Sequence, residues 1–390
     1  MKSLLEKLET EAGVSGSHSG SSSASARAAT RSAPEPLAPA RWDWREVRRV
    51  LVVRLRSIGD TVLSTPALYA LRRFLPDAQI DVLLESWVAP VLEGFRAVNN
   101  IITTERGSTR SRAQVIKRLR AAHYDVAYNL HGGTTATLLT RASGARHRVG
   151  YKSYQYSRLL NHLAPPSSEL WGMEKTHSVE QQLALPGWTG VPVTDRPPTR
   201  LAVNEKAASL VAERLRAAGL DDAKPLALIH PAAAFDTKRW AANNFARVVE
   251  DLESRGFQSV AIAAPDEKHV LDELIVNSRA RVTTFTIPLP EVIALAARSS
   301  LFVGNDSGIA HIAAAMRVPS VVIFGSSNVK HWRPWAIAPA EVVREELPCQ
   351  PCPGYFCAEF DQPECIRRVS VQSVIKAIER VVSRELSVVS

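Results

Sequence analysis

The chain has 390 residues, of which 45% are hydrophobic and 22% are charged, a balance typical of a globular protein with about two domains. No apolar run reaches the roughly 18 residues that a membrane-spanning helix needs. The N-terminal sequence MKSLLEKLETE also lacks the apolar core of a secretory signal. These features predict a cytoplasmic protein without a membrane span.

The net charge of +9 and the pI near 9.6 suit an anionic partner. Nucleic acid, anionic lipid and phosphorylated sugar all fit this charge. The sequence contains no zinc-finger spacing, no RNP-type aromatic strand and no basic heptad helix. We therefore expect no nucleic acid as a partner.

Residues 1–41 begin the chain with a segment rich in Ser, Ala, Gly and Pro. Such a segment cannot bury enough apolar surface to offset its ordering entropy, and we predict a disordered low-complexity tail. From residue 42 onward strand-like and helix-like runs alternate, which predicts a parallel α/β domain over residues 42–205. Within it, residues 151–200 are rich in Tyr, Pro, Trp and His and predict loops.

A second alternating series predicts another α/β domain over residues 206–368, and a helix follows in residues 369–390. The clearest unit is residues 301–335, where an apolar strand ends in a Gly-Asn-Asp-Ser-Gly turn. Ile309, Ile312 and Met316 then continue at helical spacing. The N-terminus of such a helix offers unpaired N–H groups that suit phosphate, at the sheet edge where open α/β sheets bind ligands.

Several motifs of the chain resemble the signatures of the lipopolysaccharide heptosyltransferases, glycosyltransferase family 9. They are Asp306-Ser307-Gly308, His311, Ala313-Ala314-Ala315, Pro319 and Phe324-Gly325, together with Arg54-Leu55-Arg56-Ser57-Ile58-Gly59-Asp60, Thr65-Pro66-Ala67-Leu68, Leu228-Ile229-His230-Pro231 and Thr237-Lys238-Arg239-Trp240. The resemblance covers residues 48–381. It implies the GT-B fold, in which two Rossmann-like domains face each other across a cleft. The first domain would bind the acceptor and the second the donor, and the last helix would cross back to the first domain.

The resemblance implies two catalytic residues, Asp60 and Lys238. In the family, the aspartate of the Gly-Asp pair is the general base that takes a proton from the acceptor hydroxyl. An aspartate at the start of a helix is also a common N-cap, and the residue pattern alone leaves that structural role open. Lys238 matches the lysine that stabilises negative charge on the departing β-phosphate.

Donor contacts are implied in the second domain. The amides of Ser307 and Gly308 would hold the diphosphate, Asp306 would hold sugar hydroxyls, and His311 shares a helix face with Ser307. Glu267 follows Ala263-Ala264, which replace the glycines of the family's turn, and an acid that complements a helix dipole is its alternative role. The predicted donor-binding residues are Lys238, Glu267, Asp306, Ser307, Gly308, Ile309 and His311.

Basic residues mark the predicted acceptor side. A run of charge is most often solvated surface. The implied acceptor, however, is an anionic core oligosaccharide linked to a lipid, and a basic cluster would also guide the protein to the anionic inner membrane. The predicted acceptor-binding residues are Arg54, Arg56, Arg110, Arg112, Lys117, Arg118 and Arg120, with Arg106 beside them.

All four cysteines lie near the C-terminus, at Cys349, Cys352, Cys357 and Cys365. In a cytoplasmic protein such clustering favours a metal over disulfides, and four thiols suit a structural zinc or iron. The spacing is not that of a standard finger, so free thiols stay open. No Asp-x-Asp metal motif stands at a strand end. We therefore expect catalysis without a cofactor or metal.

The sequence is thus identified as a member of this family. It predicts an inverting glycosyltransferase that moves heptose from ADP-L-glycero-D-manno-heptose to a Kdo or heptose acceptor of the lipopolysaccharide inner core, at the cytoplasmic face of the inner membrane. A different nucleotide sugar, a protein acceptor and a catalytically silent membrane scaffold are the alternatives. A dinucleotide-binding dehydrogenase is disfavoured because no Gly-x-Gly-x-x-Gly follows either first strand.

Overall fold

Two parallel sheets, one in each half of the chain, organise the fold. The structure, a computed structural model, describes residues 33–352 and 355–389, with the side chains of the last helix described to residue 385. The strands of the first half are β1 (Arg49–Val53), β2 (Gln79–Glu85), β3 (Asn100–Thr104), β4 (Val126–Asn129), β5 (His147–Tyr151) and β6 (His162–Ala164). Its helices are α1 (Ile58–Val62), α2 (Thr65–Phe74), α3 (Thr109–Ala121), α4 (Thr134–Ala142), α5 (Ser167–Trp171) and α6 (Ser178–Trp188).

The second half repeats this layout. Its strands are β7 (Leu226–His230), β8 (Gln258–Ile262), β9 (Val282–Phe285), β10 (Leu301–Asn305), β11 (Ser320–Phe324) and β12 (Ala340–Arg344). Its helices are α7 (Glu205–Ala217), α8 (Ala242–Ser254), α9 (Lys268–Asn277), α10 (Leu289–Arg298), α11 (Gly308–Ala315), α12 (Val329–Trp332), α13 (Glu364–Arg367) and α14 (Val371–Val389). Within the described ranges, the helices are too short or too polar for any one of them to cross a membrane.

The strand order is β3-β2-β1-β4-β5-β6 in the first sheet and β12-β11-β10-β7-β8-β9 in the second. The central strands are apolar on both faces, as expected for parallel strands covered by helices on both sides. One cluster of buried apolar side chains extends from Val52 of the first sheet to Phe302 of the second. The predicted pair of parallel Rossmann-like halves is therefore confirmed.

The N-terminal segment is ordered over part of the range for which we predicted disorder. Residues 1–32 of the predicted tail lie outside the described residues. Beyond them, the Leu37 N–H donates to the Gly187 carbonyl at 3.0 Å, and the Arg41 guanidinium lies 4.2 Å from the ring centre of Trp188. Both partners belong to α6, a buried helix in a region that we expected to be loops. The segment adds its own apolar side chains to the surface of that helix.

The last helix, α14, packs on the second half of the chain instead of crossing to the first half as predicted. Val374, Ala377, Ile378 and Val381 are fully buried in the cluster that covers the outer face of the second sheet. Their spacing places all four on one face of the helix. Its main contacts are with β11, β12 and α8, because this face covers a sheet surface that would otherwise be exposed.

We expect Ile378→Ala to lower the free energy of unfolding by about 2–5 kcal/mol, because it leaves a cavity beneath α14. Lys376→Ala changes an exposed residue of the same helix and should alter stability by less than about 0.5 kcal/mol. Urea unfolding followed by circular dichroism measures both variants. Equal midpoints for the two variants would contradict the packing of α14 on the second sheet.

Candidate active site

The candidate residues lie where the strand order of each sheet reverses. In the first sheet the order reverses between β1 and β4, and the chain that follows β1 carries Arg54 and Asp60. In the second sheet it reverses between β7 and β10, which are followed by Lys238 and Asp306. Loops on the two sides of such a reversal diverge and leave a crevice, where open α/β sheets bind ligands.

Asp60 is the third residue of α1, and several donors hold its carboxylate. It forms an ion pair with the Arg54 guanidinium. It also accepts hydrogen bonds from the Ser57 backbone N–H at 3.3 Å and from the Ser57 hydroxyl at 3.0 Å. Arg54 in turn donates to the Leu130 carbonyl, 2.8 Å away at the end of β4. The Asp60 side chain remains 21% exposed, so a ligand can still reach it.

These contacts keep Asp60 ionised. Burial by itself would raise the pKa of Asp60, but the positive charge of Arg54, the two hydrogen bonds from Ser57 and the nearby His311 outweigh it and hold the pKa below its ordinary value. The group is therefore a carboxylate throughout the neutral range. It can accept a proton there, although it is a weaker base than an unpaired aspartate.

Lys238 is held by the chain that follows β7. Asp236–Lys238 form a single 3-10 turn. The fully buried Asn305 fixes the next residues, because its side-chain oxygen accepts from the Trp240 backbone N–H at 3.1 Å and its amide donates to the Pro231 carbonyl at 2.8 Å. Lys238 Nζ then lies 2.9 Å from the Asp306 carboxylate. The lysine side chain is 22% exposed, so its ammonium is paired but accessible.

The N-terminus of α11 lies directly after Asp306. Ser307 is the N-cap residue, with an extended backbone, and its side chain makes no capping hydrogen bond within the described residues. Its Oγ is buried without a hydrogen-bond partner in that same part of the chain. The first amides of a helix are unpaired and carry the positive end of the helix dipole. Ser307 and the following amides therefore form a site suited to an anion.

Two glycines allow the candidate residues of the two halves to meet. A Cβ added at Gly59 would lie 2.7 Å from His311 Cδ2, and one added at Gly308 would lie 2.9 Å from Ile58 Cβ. The turn that carries Asp60 therefore touches the first turn of α11. The contact brings an ionised carboxylate from one half close to a helix N-terminus from the other half.

His311 lies at this contact and is buried. Burial lowers the pKa of His311, and Lys238 lowers it further, although the carboxylates of Asp306 and Asp60 oppose the shift. The imidazole is thus neutral at pH 7. Its Nδ1 is buried and has no hydrogen-bond partner among the described residues.

Arg54 and Arg56, both predicted to bind the acceptor, occupy different environments. Arg54 is buried and its guanidinium is taken up by Asp60 and by the Leu130 carbonyl. In this arrangement Arg54 is placed to hold the Asp60 carboxylate, and its contact with the acceptor stays a prediction. Arg56 is 39% exposed and lies 3.6 Å from Glu85, a distance too long for a strong pair. Arg56 remains available to a ligand.

The other predicted basic residues spread along α3. This helix follows the edge strand β3, which lies two strand spacings, about 10 Å, from β1, the strand that leads to Asp60. Its 13 residues span about 20 Å. Arg106, Arg110 and Arg112 are at or before the near end, whereas Arg118 and Arg120 are at the far end. The structure therefore divides the predicted cluster in two.

Glu267 and Ile309 complete the predicted donor residues. Glu267 ends a short 3-10 turn after β8, the strand beside β7, and so lies at the same sheet edge as Lys238. Its side chain is partly exposed. Ile309 lies in the first turn of α11 with 9% of its surface exposed.

His131 is a further candidate that we did not single out from the sequence. It follows β4, next to Leu130, whose carbonyl binds Arg54. Burial lowers the pKa of His131 to about 4, with the charges of Arg54 and Arg56 adding to the effect and Asp60 opposing it. His131 could have been identified from the sequence by its position at the end of a strand, just before Gly132. In parallel sheets, ligand-binding residues lie at the carboxyl ends of the strands.

The four predicted metal-binding cysteines are all free thiols. Burial raises the pKa of Cys365, and the nearby Cys352, Cys349 and Cys357 raise it further, so the thiols lie near one another. Within residues 33–352 and 355–389, no group of three or more His, Cys, Asp or Glu side chains is arranged to hold a metal ion. The structural zinc or iron therefore stays a prediction.

Comparisons with known proteins identify the family of this chain. A family model described as glycosyltransferase family 9 (heptosyltransferase) matches residues 112–360. Lipopolysaccharide heptosyltransferase 3 of Escherichia coli K12 is 30% identical to this chain over 299 residues, which cover 72% of this chain and 83% of that protein.

Solved structures show the same fold. The structure of E. coli ADP-heptose lps heptosyltransferase II covers 86% of this chain and 99% of its own, with a TM-score of 0.71 and 23% identity. E. coli heptosyltransferase WaaC with ADP covers 85% of this chain and 99% of its own, with a TM-score of 0.66 and 20% identity. The predicted GT-B architecture is confirmed. Because the family model matches more than half of its residues, the chain belongs to glycosyltransferase family 9, the heptosyltransferases.

Proposed function

We propose that this glycosyltransferase moves heptose from ADP-L-glycero-D-manno-heptose to a Kdo or heptose residue of the lipopolysaccharide inner core, with inversion at the anomeric carbon. One observation carries the proposal. The Asp60 carboxylate of the first half and the Lys238 and α11 N-terminus of the second half converge where Gly59 and Gly308 let the halves touch. The names of similar proteins, which include ADP-heptose lps heptosyltransferase II, support the choice of donor.

Asp60 is the general base in this mechanism. Its carboxylate takes the proton from an acceptor hydroxyl as that oxygen attacks the anomeric carbon. The bond from the anomeric carbon to the ADP oxygen breaks on the opposite face, through an oxocarbenium-like state. The proton leaves Asp60 for solvent after transfer. Arg54 and Ser57 hold the carboxylate in its ionised form before the reaction.

Lys238 and the N-terminus of α11 receive the leaving group. As the bond breaks, negative charge grows on the β-phosphate of ADP, and the ammonium and the amides after Ser307 stabilise it. Asp306 orients Lys238 and accepts hydrogen bonds from the sugar, while Glu267 and His311 contact the donor. Because these fixed positive groups offset the charge of the diphosphate, the reaction needs no divalent cation.

The acceptor is an anionic core oligosaccharide linked to a lipid, and it approaches from the first half. In this proposal, the acceptor approaches past Arg56, Arg110 and Arg112 of the first half. We further propose that the protein works at the cytoplasmic face of the inner membrane. Arg118, Arg120 and Lys117, farther along α3, would contact the anionic membrane surface there.

We expect ADP to raise the melting temperature of the wild type, because a ligand that binds only the folded state stabilises that state. UDP and GDP should have little effect. Asp60→Asn should keep the ADP effect but lower kcat for heptose transfer by about 10²–10⁴-fold, since it removes the base. Transfer should persist in EDTA. Stabilisation by UDP or GDP instead of ADP would indicate that the donor is another nucleotide sugar. Magnesium-dependent turnover would contradict the role of Lys238.

Arg54→Gln should shift the acid limb of the pH profile of kcat/KM to higher pH. The wild-type pKa of Asp60 lies below its ordinary value because the Arg54 charge and the Ser57 hydrogen bonds outweigh burial. Without that charge, burial dominates, so Asp60 becomes protonated and inactive at a higher pH. Arg54→Lys keeps a positive charge and should shift the limb less. Identical acid limbs in all three proteins would rule out Asp60 as the titrating base.

The division of the basic residues along α3 predicts unequal effects. Arg110→Gln should raise the KM for the acceptor and leave the KM for the donor unchanged, because it removes a charge from the near end of the helix. Arg118→Gln makes the same change at the far end and should leave both constants unchanged for a soluble, delipidated acceptor. Steady-state assays of both variants give the four constants. An equal rise in acceptor KM for both variants would contradict this assignment.

A further inference from the structure

The turn that carries Lys238 is supported from outside by the segment that carries the cysteines. We call residues 347–366 the cysteine segment; residues 353–354 within it lie outside the described residues. Two residues matter here: Phe235, which precedes the 3-10 turn that ends at Lys238, and Thr237, the middle residue of that turn. The cysteine segment is connected to Thr237 by hydrogen bonds and to Phe235 by a contact between aromatic rings.

Ser326 forms the hydrogen bonds that connect the cysteine segment to Thr237. It is fully buried just after β11. Its N–H donates to the Thr237 carbonyl at 3.2 Å, and its hydroxyl donates to the Thr237 Oγ1 at 3.0 Å. On its other side, the Ser326 carbonyl accepts from the Cys352 N–H at 3.1 Å. Ser326 thus joins the backbone of the cysteine segment to the residue before Lys238.

Two aromatic rings connect the cysteine segment to Phe235. The ring of Tyr355 meets the ring of Phe235 edge to face, with 4.7 Å between their centres. Lys238 Nζ lies 5.9 Å from the centre of that Phe235 ring. Tyr355 is otherwise 65% exposed. Among the described residues, the ring that Tyr355 contacts is that of Phe235, the side chain that borders the lysine.

Close packing makes these contacts rigid. A Cβ at Gly325 would overlap the Thr237 carbonyl and would lie 3.1 Å from Ile366 Cβ, so the turn, the end of β11 and helix α13 leave no space between them. The Gln350 amide donates to the Gly325 carbonyl at 2.6 Å, which ties the cysteine segment to the same point. A displacement of the segment must therefore move the Lys238 turn.

We propose that Ser326 and Tyr355 are positioning residues, through which the cysteine segment holds Lys238 in place for departure of the nucleoside diphosphate. The inference rests on the proposed role of Lys238 in the transfer reaction. Neither residue touches the reacting atoms. Small displacements of a group that stabilises the transition state lower kcat strongly, whereas binding of the acceptor, which depends on the first half, is left intact.

The test compares Ser326→Ala, Tyr355→Ala and Tyr355→Phe with a matched control, Phe356→Ala, in the full-length protein. Phe356 is the neighbour of Tyr355 and is 87% exposed. We expect Ser326→Ala and Tyr355→Ala to lower kcat by about ten- to a hundredfold while the acceptor KM stays unchanged. Tyr355→Phe keeps the ring and should retain activity, and Phe356→Ala should match the wild type.

A double-mutant comparison separates positioning from general damage. In the Lys238→Ala background, which lowers kcat by itself, Ser326→Ala and Tyr355→Ala should cause no further loss, because the group that they position is gone. A further loss in that background overturns the inference, as does wild-type kcat in the two single variants. Full activity of Lys238→Ala alone would instead overturn the proposed role of Lys238, and this inference with it.

Discussion

The contact between the first turn of α1 and the first turn of α11 is the constraint on which the active site depends. It joins two halves that otherwise fold around separate sheets, and it exists because Gly59 and Gly308 have no side chains. A Cβ at Gly59 would lie 2.7 Å from His311 and one at Gly308 would lie 2.9 Å from Ile58, so a side chain at either position would force the two turns to move apart. The proposed base and the proposed anion site come from different halves, so their separation is set by this contact and not by either half alone.

Each half prepares its own reactive group before the two meet. Arg54 and Ser57 hold Asp60 in the first half, and Asp306 and Asn305 hold Lys238 and its turn in the second. The partners are local in the fold: Arg54 and Ser57 follow the same strand as Asp60, whereas Asn305 and Asp306 come from the end of the strand beside the one that precedes Lys238. Charged groups held in place in this way correspond to the preorganisation that enzymes use to stabilise charge in a transition state.

The sequence predicted the parts of the molecule that follow local rules. The buried strands, the β10 turn and the α11 helix have strong periodicity, and the motifs around Asp60 and Lys238 marked the two strand ends correctly. It did not predict α6, because a helix buried on all sides has no polar face to reveal its period. The pairing of Arg54 with Asp60 and the link through Ser326 join residues that only the fold brings together, so no local pattern could reveal them.

The charges of Arg54 and Lys238 are paired within the proposed site, and this pairing affects how the site attracts its substrates. Arg54 and Lys238 each have a carboxylate partner within the site, so the charges of these two residues are largely offset although the chain carries a net charge of +9. A neutral pair produces little field at a distance, and it cannot draw an anionic nucleotide from solution. Selectivity for the diphosphate would therefore arise after contact, from the directions of a few hydrogen bonds, while the unpaired positive charge elsewhere on the surface would govern long-range encounter.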